Sequence, residues 1–313
     1  MKVLVTGANG FVGYAAWQRL NAISGVQALG SVRRAAGFTD MGASVVAVVD
    51  LSAQTDWSEA LAGVGAVVHT AARVHVMDDR AADPLTEFRL VNVEGTLNLA
   101  RQAAAAEVKR FVFISSIKVN GESTQPGRAF TEADAPKPQD AYGQSKHEAE
   151  RGLRQLSADT DMEVVIIRPP LVYGPGVKSN FATLVRAVQR GWPLPLGVVS
   201  NQRSLVALDN LLDFIVICIT HPQAANQTFL VSDGQDLSTT ELVRGIAQAA
   251  GVPVRLVPVP VWMLQAGASL LDKGDMIQRL CGNLQVDISK ASSLLGWVPS
   301  VSLEEGLRRT MAI

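Results

Sequence analysis

The sequence predicts an α/β protein: a doubly wound parallel sheet followed by a smaller α/β C-terminal lobe. Three observations carry this. Short apolar runs alternate with helical patterns through the first half of the chain. The runs are rich in Val and Ile without strict alternation, as in strands covered on both faces. Three glycines follow the first run directly, at the start of the chain.

Taken in order, Lys2–Thr6 reads as a strand and Gly13–Ile23 as a helix. Gln27–Arg33, Ser44–Val49, Ala66–Thr70 and Arg110–Ser115 read as the second to fifth strands, with a long helical stretch over Pro84–Ala106 before the last. Strands separated by helices imply right-handed crossovers and hence a parallel sheet. Glu163–Arg168 is a sixth strand, ended by Pro169 and Pro170. Beyond it prolines and glycines become frequent and the elements shorten. Ser238-Thr239-Thr240-Glu241 has the form of a capping box opening a helix to about Ala250. Leu256–Leu271 reads as a buried helix behind Pro258 and Pro260. It is too short for a membrane span, and a lipid-facing patch is the lesser alternative. The expected division is 1–168 for the first domain, with later segments free to return to it, and 169–313 for the second.

The 313 residues are enough for a large core, and 28 basic against 29 acidic residues leave a net charge of -1. Such a balance gives no long-range field to hold nucleic acid, so any anionic ligand must be gripped by local geometry. A hydrophobic content of 48% and a mean hydropathy of +0.18 suit a soluble globular protein. Cys218 and Cys281 are far apart and lack metal-ligand spacing. They read as buried thiols in a reducing, cytoplasmic compartment, with no metal site. The first apolar run is too short for a signal peptide.

The run Gly7-Ala8-Asn9-Gly10-Phe11-Val12-Gly13 follows the first strand. Glycines there allow a tight turn, close approach to a pyrophosphate and close helix–strand packing, while the helix N-terminus offers free N–H groups. Gly7, Asn9, Gly10, Phe11, Val12 and Gly13 are therefore candidate dinucleotide ligands on a Rossmann-like sheet. The second strand ends in Ser31-Val32-Arg33-Arg34, with no acid to accept a ribose 2′-hydroxyl. Two guanidiniums suit a 2′-phosphate, so NADP(H) is favoured over NAD(H); a solvated arginine pair is the alternative.

Tyr142-Gly143-Gln144-Ser145-Lys146 places a phenol and an ammonium one helical turn apart on one face. The ammonium would stabilise phenolate and lower a pKa near 10, letting Tyr142 exchange a proton with a sugar hydroxyl. Lys146 would also hold the nicotinamide ribose. Ser116, in Ser115-Ser116-Ile117-Lys118-Val119-Asn120-Gly121 at the end of the fifth strand, lies at the sheet edge where open α/β folds bind ligands. It is placed to orient the reacting oxygen, a turn cap being the alternative.

These motifs, together with Asn92 in Val91-Asn92-Val93-Glu94-Gly95-Thr96 and the run Arg168-Pro169-Pro170-Leu171-Val172-Tyr173-Gly174-Pro175, resemble the NAD-dependent epimerase/dehydratase family of extended short-chain dehydrogenase/reductases. The resemblance spans nearly the whole chain, to Leu294-Leu295-Gly296-Trp297-Val298-Pro299. It implies a UDP- or dTDP-sugar substrate and a homodimer joined through helices of the first domain. It also implies cofactor contacts at Asp50, Leu51, Ala71, Ala72, Asn92, Ser115 and Pro169. Asn180 and Phe181 are implied at the sugar diphosphate, and Arg203 at the diphosphate or uridine. Arg279 is a weaker phosphate candidate, with a surface ion pair as its alternative.

The chain departs from the family's usual pattern at Leu171, where many C4 epimerases carry Asn, and at Lys118 and Asn120. Ile117-Lys118 stands where a dehydratase carries its acidic pair, which disfavours dehydration. Ser115–Glu122 is similar to the UDP-4-keto-6-deoxy-N-acetylhexosamine 4-reductases of surface-polysaccharide synthesis. With an NADPH-type second strand, net reduction at C4 of such a sugar is the expected function. The alternatives are a UDP-glucose/UDP-N-acetylglucosamine 4-epimerase and, from another class, a non-catalytic dinucleotide sensor.

Overall fold

The computed structural model describes residues 1–33, 45–48, 50–74, 83–270 and 274–312. The chain runs β1 (Lys2–Thr6), α1 (Phe11–Asn21), β2 (Gln27–Val32), β3 (Val45–Ala47), α2 (Ser58–Leu61), β4 (Ala66–His69), α3 (Pro84–Arg89), α4 (Thr96–Ala105), β5 (Arg110–Ile114), α5 (Ala141–Asp159) and β6 (Glu163–Arg168). It continues through β7 (Leu171–Tyr173), α6 (Ser179–Gln189), β8 (Arg203–Ala207), α7 (Leu208–Thr220), β9 (Thr228–Leu230), β10 (Asp236–Leu237) and α8 (Thr239–Ala249). The last elements are α9 (Val261–Leu270), α10 (Gly274–Cys281), α11 (Ser289–Leu295) and α12 (Leu303–Met311).

One seven-stranded sheet has the order β3-β2-β1-β4-β5-β6-β9, and every pairing in it is parallel. The strand order reverses between β1 and β4, which opens a ligand crevice at the strands' carboxyl ends. Successive residues face opposite sides. Val3 and Val5 enter a core shared with α1 and α7, whereas Leu4, Phe111 and Phe113 enter a core shared with α4 and α5. Burial on both faces explains why these strands read as unbroken apolar runs.

After β8 the chain returns to this sheet. Phe214 on α7 packs edge-on against Phe229 of β9 and Trp297, with ring centroids 5.4 and 4.8 Å away. The second lobe is built on a smaller sheet of order β10-β8-β7. Its core gathers Tyr173, Phe181, Leu205, Val243, Ile246 and Leu307.

Two elements differ from expectation. The single helix foreseen over Pro84–Ala106 carries a π-helical stretch, Leu90–Gly95, between α3 and α4. Such bulges mark places where a helix yields to a close neighbour. Here a Cβ on Gly95 would stand 2.8 Å from the Leu51 carbonyl oxygen. The helix after Pro258 and Pro260 is present as α9 but is not buried: Trp262 is 68% and Met263 48% exposed. Among its described side chains only Ala268 is buried, because an apolar face all round cannot be covered by one flank of a filled lobe. Cys218 is buried, whereas Cys281 is only half-buried. No helix among the described residues is long and apolar enough to cross a membrane.

A buried ionic knot ties β5, β6 and α5 together. Arg168 donates through Nε and Nη2 to Glu150, at 2.9 and 2.6 Å. Ser115 Oγ donates to the same carboxylate at 2.6 Å, and Arg168 Nη1 reaches Asn120 Oδ1 at 2.8 Å. Arg168 is 2% exposed and Glu150 0%. Arg168→Met takes away the buried partner of that carboxylate, leaving it Ser115 and the part-exposed Arg154 at 2.9 Å, and should cost about 3–5 kcal/mol, read from urea unfolding midpoints. Adding Glu150→Leu should restore most of the loss, since a buried pair exchanged for apolar groups is often near neutral. A single variant as stable as wild type would show that the pair does not hold these elements.

Candidate active site

The loop from β1 to α1 is shaped by absent side chains. Gly7 has φ +66°, and a Cβ there would meet the Ala71 backbone at 2.9 Å. A Cβ on Gly13 would come within 2.2 Å of the Gly7 carbonyl oxygen. Gly10 caps α1 without a side-chain hydrogen bond, so the first-turn N–H groups keep their capacity for an anion. Asn9 and Gly10 are exposed, while Phe11 and Val12 turn their side chains to the core and offer only backbone. This cradle fits a dinucleotide pyrophosphate.

The remaining cofactor candidates surround it unevenly. Ala71 abuts Gly7, and Ala72 is half-exposed beside it. Asp50 is exposed and accepts the Leu51 N–H at 2.8 Å; Leu51 itself is buried. Asn92 bonds the backbone of Arg73 on both sides, at 2.8 and 3.0 Å, and reaches Ser145 Oγ at 3.0 Å. It therefore shapes the wall after β4 and spends its amide in doing so. Arg33 is exposed at the end of β2, and Arg34 lies outside the described residues.

Tyr142 stands on the first turn of α5, which Asp140 caps by accepting the Gly143 N–H at 2.7 Å. Lys146, one turn on, is buried; its Nζ donates to the Ile114 carbonyl at 2.9 Å and lies 5.9 Å from the Tyr142 ring centre. Ser116 caps the 3-10 turn Ile117–Val119, accepting the Lys118 N–H at 3.3 Å, and keeps its own proton to donate. That turn packs on the start of α5: a Cβ on Gly143 would meet the Lys118 carbonyl oxygen at 2.9 Å. Ser116 and Tyr142 thus share the carboxyl edge of β5. Ser115 turns away to Glu150, and the Pro169 carbonyl accepts the Ile117 N–H at 3.0 Å.

Electrostatics correct one expectation. Burial brings Lys146 down to about 7, against the opposing charge of Glu150. The Tyr142 phenol is pushed up rather than down, first by burial and then by the Asp140 carboxylate. Desolvation of the phenol disfavours its charged form. His69, between Thr6 Oγ1 at 2.6 Å and Thr96 Oγ1 at 2.9 Å, is driven down to about 3 by burial and the Lys146 charge. It is a neutral core histidine.

A charged row leads from Tyr142 to the second lobe. Lys118 Nζ bonds Asp140 and, at 2.8 Å, Glu122 Oε1. Glu122 Oε2 is 3.8 Å from Arg279 Nε, and its charge also acts on Arg203, whose Nη1 donates to the Gly282 carbonyl at 3.1 Å. Arg203 and Arg279 therefore converge, as a diphosphate clamp requires. Arg279 does form an ion pair, but with a residue of the serine's own loop. Asn180 is exposed at the start of α6, whereas Phe181 is 3% exposed and stacks on Tyr173 at 5.7 Å, so its ring belongs to the lobe core. Asn120 is also spoken for, by Arg168 and the Thr131 carbonyl. Asp140 and Glu122 went unread in the sequence. Asp140 had a local signal, an acid just before a helix. Glu122 had none, because its partners lie on other elements.

The family model "NAD dependent epimerase/dehydratase family" matches residues 3–232. The chain is 51% identical over 309 residues, 98% of its length and 94% of the relative's, to a UDP-glucose 4-epimerase of Vibrio cholerae. Its fold superposes with a TM-score of 0.80 on UDP-glucuronic acid 4-epimerase from Bacillus cereus in complex with NAD, at 21% identity, covering 99% of this chain and 95% of that one. UDP-glucose 4-epimerase from Thermotoga maritima with UDP-glucose gives 0.78 at 22% identity, covering 99% and 97%.

Asp140 and Lys118 should tune Tyr142 in opposite directions. Asp140→Asn removes the charge that disfavours phenolate while its amide oxygen still accepts the Gly143 N–H. Lys118→Met removes the Lys118 charge from beside Asp140. If phenolate is the active base, the acidic limb of the turnover–pH profile moves down by about half to one unit in the first variant and up in the second. Superimposable profiles would refute the coupling.

Proposed function

The chain belongs to the NAD-dependent epimerase/dehydratase family, and within it we propose that it inverts the C4 hydroxyl of a UDP-hexose such as UDP-glucose or UDP-N-acetylglucosamine. The observation that carries this reading is a complete Ser116, Tyr142 and Lys146 set, without a dehydratase's acidic pair, in a chain 51% identical to a UDP-glucose 4-epimerase. Tyr142 accepts the proton of the C4 hydroxyl and returns it after the sugar has turned. Ser116 donates to the same oxygen and fixes its position. Lys146 supplies positive charge beneath the phenol and holds the cofactor's ribose. Arg203 and Arg279 grip the diphosphate once it displaces Glu122, and Asn180 lies at the rim. Leu171, 44% exposed just after Pro170, presents an apolar wall that cannot pin a 4-keto sugar by hydrogen bonding. A nicotinamide dinucleotide held on the Gly7–Gly13 loop would supply the hydride acceptor and donor and, when oxidised, a positive charge that favours phenolate.

This replaces the expectation of net reduction, which rested on Arg33 and Arg34. An epimerase recovers its hydride in every cycle and needs no reducing pool, so NAD(H) replaces NADP(H) as the cofactor in this reading. The NAD-containing Bacillus cereus structure supports the same choice. A homodimer joined through helices of the first domain belongs to this reading.

Incubation with UDP-glucose, UDP-N-acetylglucosamine and a UDP-4-keto-6-deoxy sugar separates the cases. Gluco and galacto forms should interconvert on proton NMR with no net change in nicotinamide absorbance. Stoichiometric loss of reductant with the keto sugar alone would make the protein a 4-reductase. Tyr142→Phe should slow conversion by about 10²–10⁴-fold while cofactor stays bound.

A further inference from the structure

Leu171 and Val298 apart, the exposed large apolar residues of the second lobe fall on neighbouring segments. Trp192, Val198, Val254, Val257, Trp262 and Met263 are all exposed, and come from the segment after α6, the segment leading into α9 or the first turn of α9. Backbone hydrogen bonds lace these segments side by side. Leu194 donates to the Arg255 carbonyl at 2.8 Å, Val257 to Leu194 at 2.8 Å, and Gly197 to Val257 at 3.0 Å. Trp192 and Val254 therefore stand level, each two residues before the Leu194–Leu256 bridge. Trp262 and Met263 follow directly at the start of α9. These residues lie on two laced segments and on the helix start that follows one of them, and exposed apolar patches mark interaction sites.

Its charge is one-sided. Residues 178–208 hold Lys178, Arg186, Arg190 and Arg203 without an Asp or Glu, and residues 242–270 hold Arg244 and Arg255, again without one. That bias stands in a chain of net charge -1. Arg190 lies 5.6 Å over the Trp192 ring. Arg190 and Arg255 are exposed and have no carboxylate partner among the described residues. Tryptophan and methionine flanked by unpaired arginines match the boundary between acyl chains and anionic headgroups. A second copy of this chain fits less well, because a two-fold contact would bring together two copies of a face that offers arginines and no carboxylate to pair them.

We propose that this face is a peripheral docking surface for an anionic phospholipid bilayer. Trp262 and Met263 enter the acyl boundary, and Arg190 and Arg255 meet headgroup phosphates. The proposal does not depend on the reaction assigned above. Because α10 packs against α9 and carries Arg279 to Glu122, docking would bring the sugar-binding side of the lobe close to the membrane.

Flotation with phosphatidylcholine vesicles, with and without added phosphatidylglycerol, tests it. The full chain should float with the anionic vesicles, with a blue shift in tryptophan emission, and binding should weaken as salt rises. Trp262→Ser with Met263→Ser, and separately Arg190→Glu with Arg255→Glu, should each weaken partitioning by about tenfold or more, with melting temperature and sugar conversion unchanged. Failure of the wild-type chain to float would overturn the proposal, as would undiminished flotation of both variants. So would a concentration-dependent oligomer abolished by either variant, which would assign the patch to a second copy.

Discussion

Glu150 and Arg168 meet where neither charge is hydrated, and the site is arranged around that meeting. The carboxylate comes from α5, the helix that carries Tyr142 and Lys146. The guanidinium comes from the end of β6, and Ser115 and Asn120 bring in the loop that carries Ser116. A buried ion pair tolerates little misalignment, because each unpaired lone pair or proton costs its full desolvation. The knot therefore fixes the distance between the serine's loop and the tyrosine's helix more firmly than apolar packing alone would.

Around this anchor, desolvation is the dominant electrostatic force. It lowers Lys146, raises Tyr142 and silences His69. Positive charge near Tyr142 opposes that rise, because it favours phenolate. Lys118 extends the same logic outward, since it shields Tyr142 from Asp140 while linking that carboxylate to Glu122.

The second lobe faces two ways. Inward, Arg279 pairs with Glu122 of the first domain's loop and Arg203 feels the same charge, so the lobes are joined by charges. Outward, the segments beside α9 present aromatic and cationic residues that the lobe's own core does not use. Both features come from loops that the first domain does not constrain, and such loops carry specificity on a shared scaffold.

The alternation of apolar runs with helices, the glycine spacing and the Tyr142–Lys146 interval were legible along the chain, because each is a local pattern: an unbroken apolar run for a strand covered on both faces, a period of 3.6 for a helix, a tight turn for the loop. β1 and β6 have the bounds those patterns implied. The π-helical break at Leu90–Gly95, the exposure of α9, the engagement of Ser115 and Phe181, and the upward shift of Tyr142 were not legible. Each depends on a neighbour distant in sequence: Leu51 against Gly95, Glu150 against Ser115, Tyr173 against Phe181. By itself the sequence determined which groups could do chemistry. Tertiary structure alone decided which of them keep a free valence, because burial and long-range pairing are properties of the packed chain.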